Sequence, residues 1–350
     1  MKQIFIILML INLAACWVYP NRQAPVMKGL LKGKINGMAI MAPPNPFKEN
    51  PMPIIESIGV NYVSIQPFAF FNKDQPTIEY GGYLWWGEKK EGLIQSIQLA
   101  KKENLAVLLK PQLWAYNQWI GDLEFDNEAD WLLFEKNYRN YILPMAKLAD
   151  SMKVELFAVG TEVKLSAIQR PEFWRGLIQD IRTIYSGKLV YASNWDAYSS
   201  VSFWDALDYV GIDAYFPLIK KKRPNVTELK RAWEPTIDSM EAFYNTWQRP
   251  ILFTEFGYMS LEGCAYKAWL LEKKQAEAKL SEQAQANALQ ALLEVFGQKS
   301  WWAGGFQWKW YADISSVLKK SEIERDYTPQ GKKALKVLKE LYGNREEASQ

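Results

Sequence analysis

Histidine is absent from this 350-residue chain, and only two cysteines occur, Cys16 and Cys264. Acid–base work near neutral pH then falls to carboxyl groups, and zinc sites built from Cys and His are excluded by count. No Gly-x-Gly-x-x-Gly follows an apolar run. Gly29 to Lys34 comes near a phosphate loop but is one residue short and runs into Ile35, not Ser or Thr. A large excess of one charge sign is lacking too. A net charge of +3 argues neither for nucleic acid nor for an acidic polymer as partner. The one basic run, Lys220 to Arg223, lies between Pro217 and Pro224 and reads as a solvated loop. No internal repeat or low-complexity linker breaks the chain.

The composition is that of a globular protein with a sizeable core, 49% hydrophobic and 23% charged. Eight short apolar runs recur near residues 35–42, 60–67, 105–111, 154–161, 188–193, 208–214, 250–256 and 303–308. Amphipathic stretches fall between them: Lys89–Asn104, Asp130–Lys153, Pro171–Tyr185, Val226–Trp247 and Ser281–Phe296, with a last one over Gln330–Leu341. Pro171 suits a helix start, and Pro235 is expected to kink or split its helix. Alternating strand and helix means parallel strands joined by crossovers. Eight such units in this length predict an α/β fold, a single (β/α)8 TIM barrel over residues 34–343, rather than an open doubly wound sheet.

Reacting groups of such a barrel sit at the carboxyl ends of its strands. Two strands end alike. Leu156 to Val159 runs into Gly160-Thr161-Glu162, and Ile251 to Thr254 runs into Glu255-Phe256-Gly257, where Gly257 is expected to supply a turn. Each glutamate alone could be structural, Glu255 an anchor for the next loop and Glu162 an acidic residue at a helix start. As the ends of strands four and seven, they face each other across the barrel mouth. Paired carboxyls, one protonated and one ionised, are what glycoside hydrolysis requires.

Other strand ends suit a sugar ligand. Lys110 and Trp114 follow strand three, Asn194, Trp195 and Asp196 follow strand five, and Asp213 and Tyr215 follow strand six. Strand eight carries Trp308 and Trp310. Aromatic rings offer stacking surfaces for apolar sugar faces. Of 16 tryptophans, Trp85, Trp86, Trp114, Trp119, Trp195, Trp308 and Trp310 fall at strand ends or in loops and read together as a binding surface.

These motifs carry a resemblance. Gly160-Thr161-Glu162, Ser193 to Asp196, Gly211 to Pro217, Thr254 to Tyr258 and Asp326 to Lys332 resemble glycoside hydrolase family 113, a family of retaining barrel glycosidases that includes β-1,4-mannanases. The likeness runs from about Lys34 to Tyr342. It implies Glu162 as acid/base, Glu255 as nucleophile, Tyr215 as a hydrogen-bond donor to the nucleophile, and Trp308 or Trp310 as a platform under the reacting sugar. Related barrels carry Asn before the acid/base. Thr161 stands there in this chain, so Asn194 becomes the candidate for the sugar 2-hydroxyl. The expectation is a retaining hydrolase without metal or cofactor, acting as a monomer on a β-linked polysaccharide or oligosaccharide, with β-1,4-mannan foremost and endo action favoured. The same machinery on a β-glucan or amino-sugar polymer, or a non-catalytic glycan-binding lipoprotein, are the alternatives. A structural envelope protein fits the aromatic-rich loops less well.

The N-terminus has a different task. Ile4 to Leu13 is apolar but too short for a comfortable membrane span, and Leu13-Ala14-Ala15-Cys16 resembles a bacterial lipobox. Residues 1–16 are therefore expected to be a lipoprotein signal ending at a lipidated Cys16, residues 17–33 a tether and 344–350 a polar tail. Trp17 in place of an Asp favours the outer membrane of the bacterial cell envelope. Cys264 would then have no disulfide partner and is expected to be a small buried residue. The full-length protein should partition into membranes, and Cys16→Ser should release it or leave it unprocessed. Mass analysis finding a mature N-terminus elsewhere, without lipid on Cys16, overturns the assignment.

Overall fold

A computed structural model describes residues 26–343, apart from Gly81, Tyr83 and Asn117. The signal, Cys16 and the polar tail lie outside the described residues. Eight strands form one closed barrel: β1 (Ile35–Ile40), β2 (Tyr62–Ile65), β3 (Ala106–Leu109), β4 (Leu156–Thr161), β5 (Lys188–Asn194), β6 (Tyr209–Asp213), β7 (Ile251–Phe256) and β8 (Trp302–Trp310). Each is parallel to its sequence neighbours, and β8 closes the ring by pairing with β1. The eight predicted strands and the single TIM barrel are therefore observed.

Side chains alternate across each strand, and two apolar clusters record that alternation. Leu108, Leu156, Ala158, Val190, Leu252 and Phe306 form a small cluster of their own, inside the barrel. Their strand neighbours Val107, Leu109, Phe157, Val159, Val210, Ile251 and Phe253 belong to the larger cluster shared with helix residues such as Leu93, Ile97, Leu177 and Leu292. That outer layer is built by the helices Lys90–Lys102, Glu128–Ser151, Pro171–Arg182, Val226–Trp247, Glu282–Gly297 and Lys333–Tyr342. Three of them start at a capping side chain, Asn127, Asn225 and Ser281. Asn225 accepts from the Glu228 amide while Glu228 reaches back to the Asn225 amide.

Some details depart from expectation. Val226–Trp247 runs through Pro235 as one helix and is not split. The β5–β6 crossover carries two short 3-10 turns, Tyr198–Ser200 and Trp204–Ala206, and no α-helix. A three-stranded sheet that periodicity did not reveal is built from Phe68–Asn72, Thr77–Glu79 and Gln112–Ala115, which continue beyond β2 and β3. Part of the expected tether is packed. The Gly29 and Leu31 amides bond the Glu340 and Leu341 carbonyls, and Leu31 is buried. Cys264 is buried as expected, and burial pushes its thiol up to about 12.

Trp310 is a correction. The register between β1 and β8 slips after Met38↔Gln307, so that the next partners are Ile40 and Trp310. The extra residue on β8 turns Trp310 out of the barrel mouth, and it packs into the outer core. Trp310→Ala should accordingly lower the unfolding free energy by about 3–5 kcal/mol, the usual range for a buried Trp truncation, measured by denaturant titration.

Candidate active site

The carboxyl ends of the strands open into a cleft of about 890 Å³. Glu162 and Glu255 both line it, so the barrel brings together the two glutamates that the sequence set apart.

Strict alternation on β7 would send Glu255 outward with Ile251 and Phe253. The ladder prevents this. Phe253 pairs with Ile212, and the next β6 residue, Asp213, pairs with Glu255, so Thr254 is the extra residue of a bulge. Two consecutive side chains then point inward. Thr254 Oγ1 donates to Asp213 Oδ1 at 2.7 Å. Glu255 Oε1 accepts from Lys110 Nζ at 2.5 Å and from Gln112 Nε2 at 3.1 Å, and its Oε2 accepts from Tyr215 Oη at 2.8 Å. Both oxygens thus face donors, an arrangement that holds a carboxylate's negative charge and fixes its plane. Gly257 serves this corner by close approach rather than by an unusual turn, since a Cβ there would lie 2.6 Å from the Trp308 carbonyl oxygen.

Lys110 is fully buried, two residues beyond the interior Leu108. Its ammonium also reaches Asp213 Oδ2 at 3.2 Å. Burial alone would lower its pKa, but Asp213 and Glu255 reverse that and raise it, so Lys110 stays a cation. Asp213, buried beside Glu255, is raised above the ordinary carboxyl range, chiefly by burial and despite Lys110. Tyr215 is raised well above 10 by burial and then by Glu255, which keeps its hydroxyl a donor.

Glu162 sits in a different setting. It follows a β4 bulge opposite Tyr191, and its φ of 54° is left-handed, uncommon for a residue with a Cβ. Its amide continues the ladder to Ala192, and its Oε2 accepts from Trp119 Nε1 at 3.1 Å. Burial raises its pKa to about 8, with Asp213 and Glu255 adding to the rise and Lys110 and Trp119 opposing it. The two glutamates therefore differ in kind. One is clamped by an ammonium, an amide and a phenol; the other faces a single indole donor and keeps its proton to higher pH than an ordinary carboxyl.

Of the other expected site residues, Trp114, Asn194, Trp195, Asp196, Tyr215 and Trp308 line the cleft. Trp308, whose peptide bond to Lys309 is cis, points inward two residues after Phe306. Lys110 and Asp213 do not line it; they lie beneath its floor, and their expected contact with sugar hydroxyls gives way to holding Glu255. Trp310 is outside the cleft. Trp85 and Trp86 also lie away from it, while Trp119 joins it. Thr161 lines the cleft but gives its hydroxyl to the Pro111 carbonyl at 3.1 Å. Asn194 and Asp196 are tied together, Nδ2 to Oδ1 at 3.0 Å, with Lys164 on the other Asp196 oxygen at 2.8 Å.

Three residues escaped sequence reasoning. Gln112 follows Lys110 by two, which alternation could have flagged. Trp269 comes from the long segment after β7 and stacks on Trp195 at 5.6 Å and 19°. Tyr327 lies in the late Asp326–Lys332 motif, which clamps it in the cleft wall. Gln285 donates to the Tyr327 carbonyl, Lys332 to that of Asp326, and the Tyr327 ring meets Tyr215 edge-on at 6.1 Å. Among the described residues no three His, Cys, Asp or Glu side chains converge as metal ligands.

The sequence pattern of Glycoside Hydrolase Family 113 matches residues 46–332. This chain belongs to Glycoside Hydrolase Family 113. It is a glycoside hydrolase by that membership. A family 113 β-1,4-mannanase solved as a complex is 26% identical, with 89% of this chain and 99% of that chain covered and a TM-score of 0.74. The family 113 β-mannanase AaManA from Alicyclobacillus acidocaldarius, in complex with ManMIm, is 21% identical, covers 89% and 97%, and has a TM-score of 0.75. A β-glucuronidase from Ruminococcus gnavus shares the fold at 14% identity, TM-score 0.60, with 89% of this chain and 50% of that chain covered. No curated protein matches the chain.

The environment of Glu162 has a measurable consequence for this family 113 member. Its folded pKa, about 8, lies above the ordinary 4.5, so the native state binds the extra proton between those values. Its contribution to stability is full below about 4.5 and is lost as pH rises through about 8. Glu162→Gln, which stays neutral, should remove that decline from the pH dependence of unfolding free energy. An unchanged slope in the variant counts against the raised pKa.

Proposed function

We propose that this family 113 enzyme is a retaining β-1,4-mannanase in which Glu255 is the nucleophile and Glu162 the acid/base. The observation that carries the role assignment is the unequal setting of the two glutamates: Lys110, Gln112 and Tyr215 donate to Glu255, while Glu162 is held protonated near neutral pH. The substrate class is supported by family membership and by the mannanases among the structural neighbours.

The steps follow from that division of labour. A sugar ring stacked on Trp308 presents its anomeric carbon to Glu255. A Glu255 oxygen attacks that carbon as the bond to the leaving oxygen breaks, and the Glu162 proton goes to the leaving oxygen. Lys110 remains a cation throughout and orients the attacking carboxylate from below. Glu162, now ionised, takes a proton from water. That water attacks the anomeric carbon from the side the leaving group vacated, and Glu255 departs as carboxylate. Two inversions give net retention. Trp114, Trp119 and the Trp195–Trp269 stack supply the walls against which flanking sugars lie, and Asn194 contacts the 2-hydroxyl. The open cleft suits endo action. We also propose export and lipid anchoring through Cys16, supported by the Leu13 to Cys16 pattern.

Retention requires the two carboxyls about 5–5.5 Å apart; about 6.5–9.5 Å would mean inversion. Glu255→Ala should abolish turnover of a β-mannoside without loss of folding, and azide should restore cleavage of an activated substrate with an inverted product. Glu162→Ala should slow cleavage of a poor leaving group by about 10²–10⁴-fold, leave departure of a nitrophenol nearly unchanged, and with azide yield a retained product. Identical stereochemistry from the two variants would refute the roles. Wild-type protein that binds glycan but releases no product across a panel of β-mannan, β-glucan and amino-sugar polymers would make it a glycan-binding lipoprotein instead. Cleavage confined to one of the other polymers would keep the machinery and replace mannan as substrate.

A further inference from the structure

The three-stranded sheet beside the cleft carries a second concave surface. Its strands Phe68–Asn72 and Gln112–Ala115 run parallel, with Phe68 opposite Gln112 and Phe70 opposite Trp114. One face, with Ala69, Phe71, Leu113 and Ala115, is buried in the core. The other face of such a sheet ordinarily presents polar side chains to water. Here aromatic rings stand there, and Trp114 and Tyr116 are 59% and 51% exposed.

The period of two sets these residues in a row. It begins at Gln112, which donates to Glu255, passes Trp114, and reaches Tyr116 about 13 Å further along the strand. Phe68 and Trp114 line the cleft; Phe70 and Tyr116, one step on, line a separate hollow of about 500 Å³. There the Phe70 and Tyr116 rings stack at 5.7 Å and 24°. Tyr80, 47% exposed, forms another wall, and Glu79, paired with Phe70 across the sheet, brings a carboxylate to the lining.

We infer that this hollow is a distal glycan-binding site, which takes the continuation of a neutral β-linked polysaccharide chain past Trp114 and beyond the cleft; this rests on the glycanase reading above. Its aromatic faces stack on apolar pyranose faces, and Glu79 accepts hydrogen bonds from hydroxyls. The site acts on long chains only, because a short substrate that fills the reacting positions does not reach Tyr116.

The test compares wild type, Tyr116→Ala and Tyr116→Trp in the full chain, with thermal midpoints measured alongside. On soluble β-mannan polymer, kcat/KM should fall about three- to tenfold in Tyr116→Ala, the scale of one lost aromatic stacking contact. It should be unchanged on an aryl β-mannobioside, and Tyr116→Trp should restore the polymer rate. Equal rates of wild type and Tyr116→Ala on polymer, or a parallel fall on both substrates, would overturn the site while leaving the mannanase reading intact. If wild type cleaves no mannan, that reading fails and the site is judged by retardation in native gels cast with soluble β-glucan, glucomannan or amino-sugar polymers. Retardation of wild type that Tyr116→Ala loses supports it. Retardation equal in both, or absent in both, overturns it.

Discussion

A lysine ammonium buried between two carboxylates is the constraint on which the rest of the site depends. Removing Lys110 from water is expensive, and only partners at close range can offset it. Asp213 and Glu255 are those partners, from strands β6 and β7, while Lys110 itself extends from β3. Three strands are thereby tied at one point, and the orientation of Glu255 becomes a consequence of charge balance beneath the cleft floor. Gln112 and Tyr215 complete the clamp from above. Glu162, opposite, holds its proton chiefly because it is buried, and then because it sees the negative charge of Asp213 and Glu255 without a cation of its own. One cluster thus gives two carboxyls opposite settings by environment alone.

The barrel ladder supplies the geometry through its irregularities. Regular alternation would leave Glu255 facing the helices, away from the cleft. The bulge at Thr254 turns it inward and lets Thr254 brace Asp213 at the same level. A comparable slip in β4 precedes Glu162, and one between β1 and β8 sends Trp310 into the core while Trp308 stays in the cleft. Bulges at strand ends re-aim single side chains without altering the barrel. In this protein they decide which aromatic packs in the core and which lines the cleft.

The cleft walls come from segments outside the barrel pattern. The small sheet after β2 and β3 presents Phe68 and Trp114, the segment after β7 brings Trp269 onto Trp195, and the Asp326–Lys332 motif fixes Tyr327. These rings are held on rigid or well-bonded supports, which keeps a stacking surface in place without ligand. The two glutamates are therefore placed by barrel strands and much of the aromatic cleft wall by their extensions, a division that lets one fold serve many substrates.

Strand count, order and the single barrel were legible in the sequence because apolar runs of strand length alternate with amphipathic runs of helix length, and parallel pairing follows from that alternation. Glu162 and Glu255 were legible as facing strand ends for the same reason. The sequence by itself also determined that no histidine is available for proton transfer near neutral pH, which directs attention to carboxyl groups. It could not decide that Lys110 and Asp213 are buried supports rather than sugar contacts, because burial of a charge depends on partners that meet only when distant strands close. Nor could it separate Trp308 from Trp310, which differ by two residues and share a chemistry. That choice belongs to the β1–β8 register. Trp269 and Tyr327 joined the site through long-range packing, which leaves no periodic trace in the chain, while Gln112 follows Lys110 at the strand period of two.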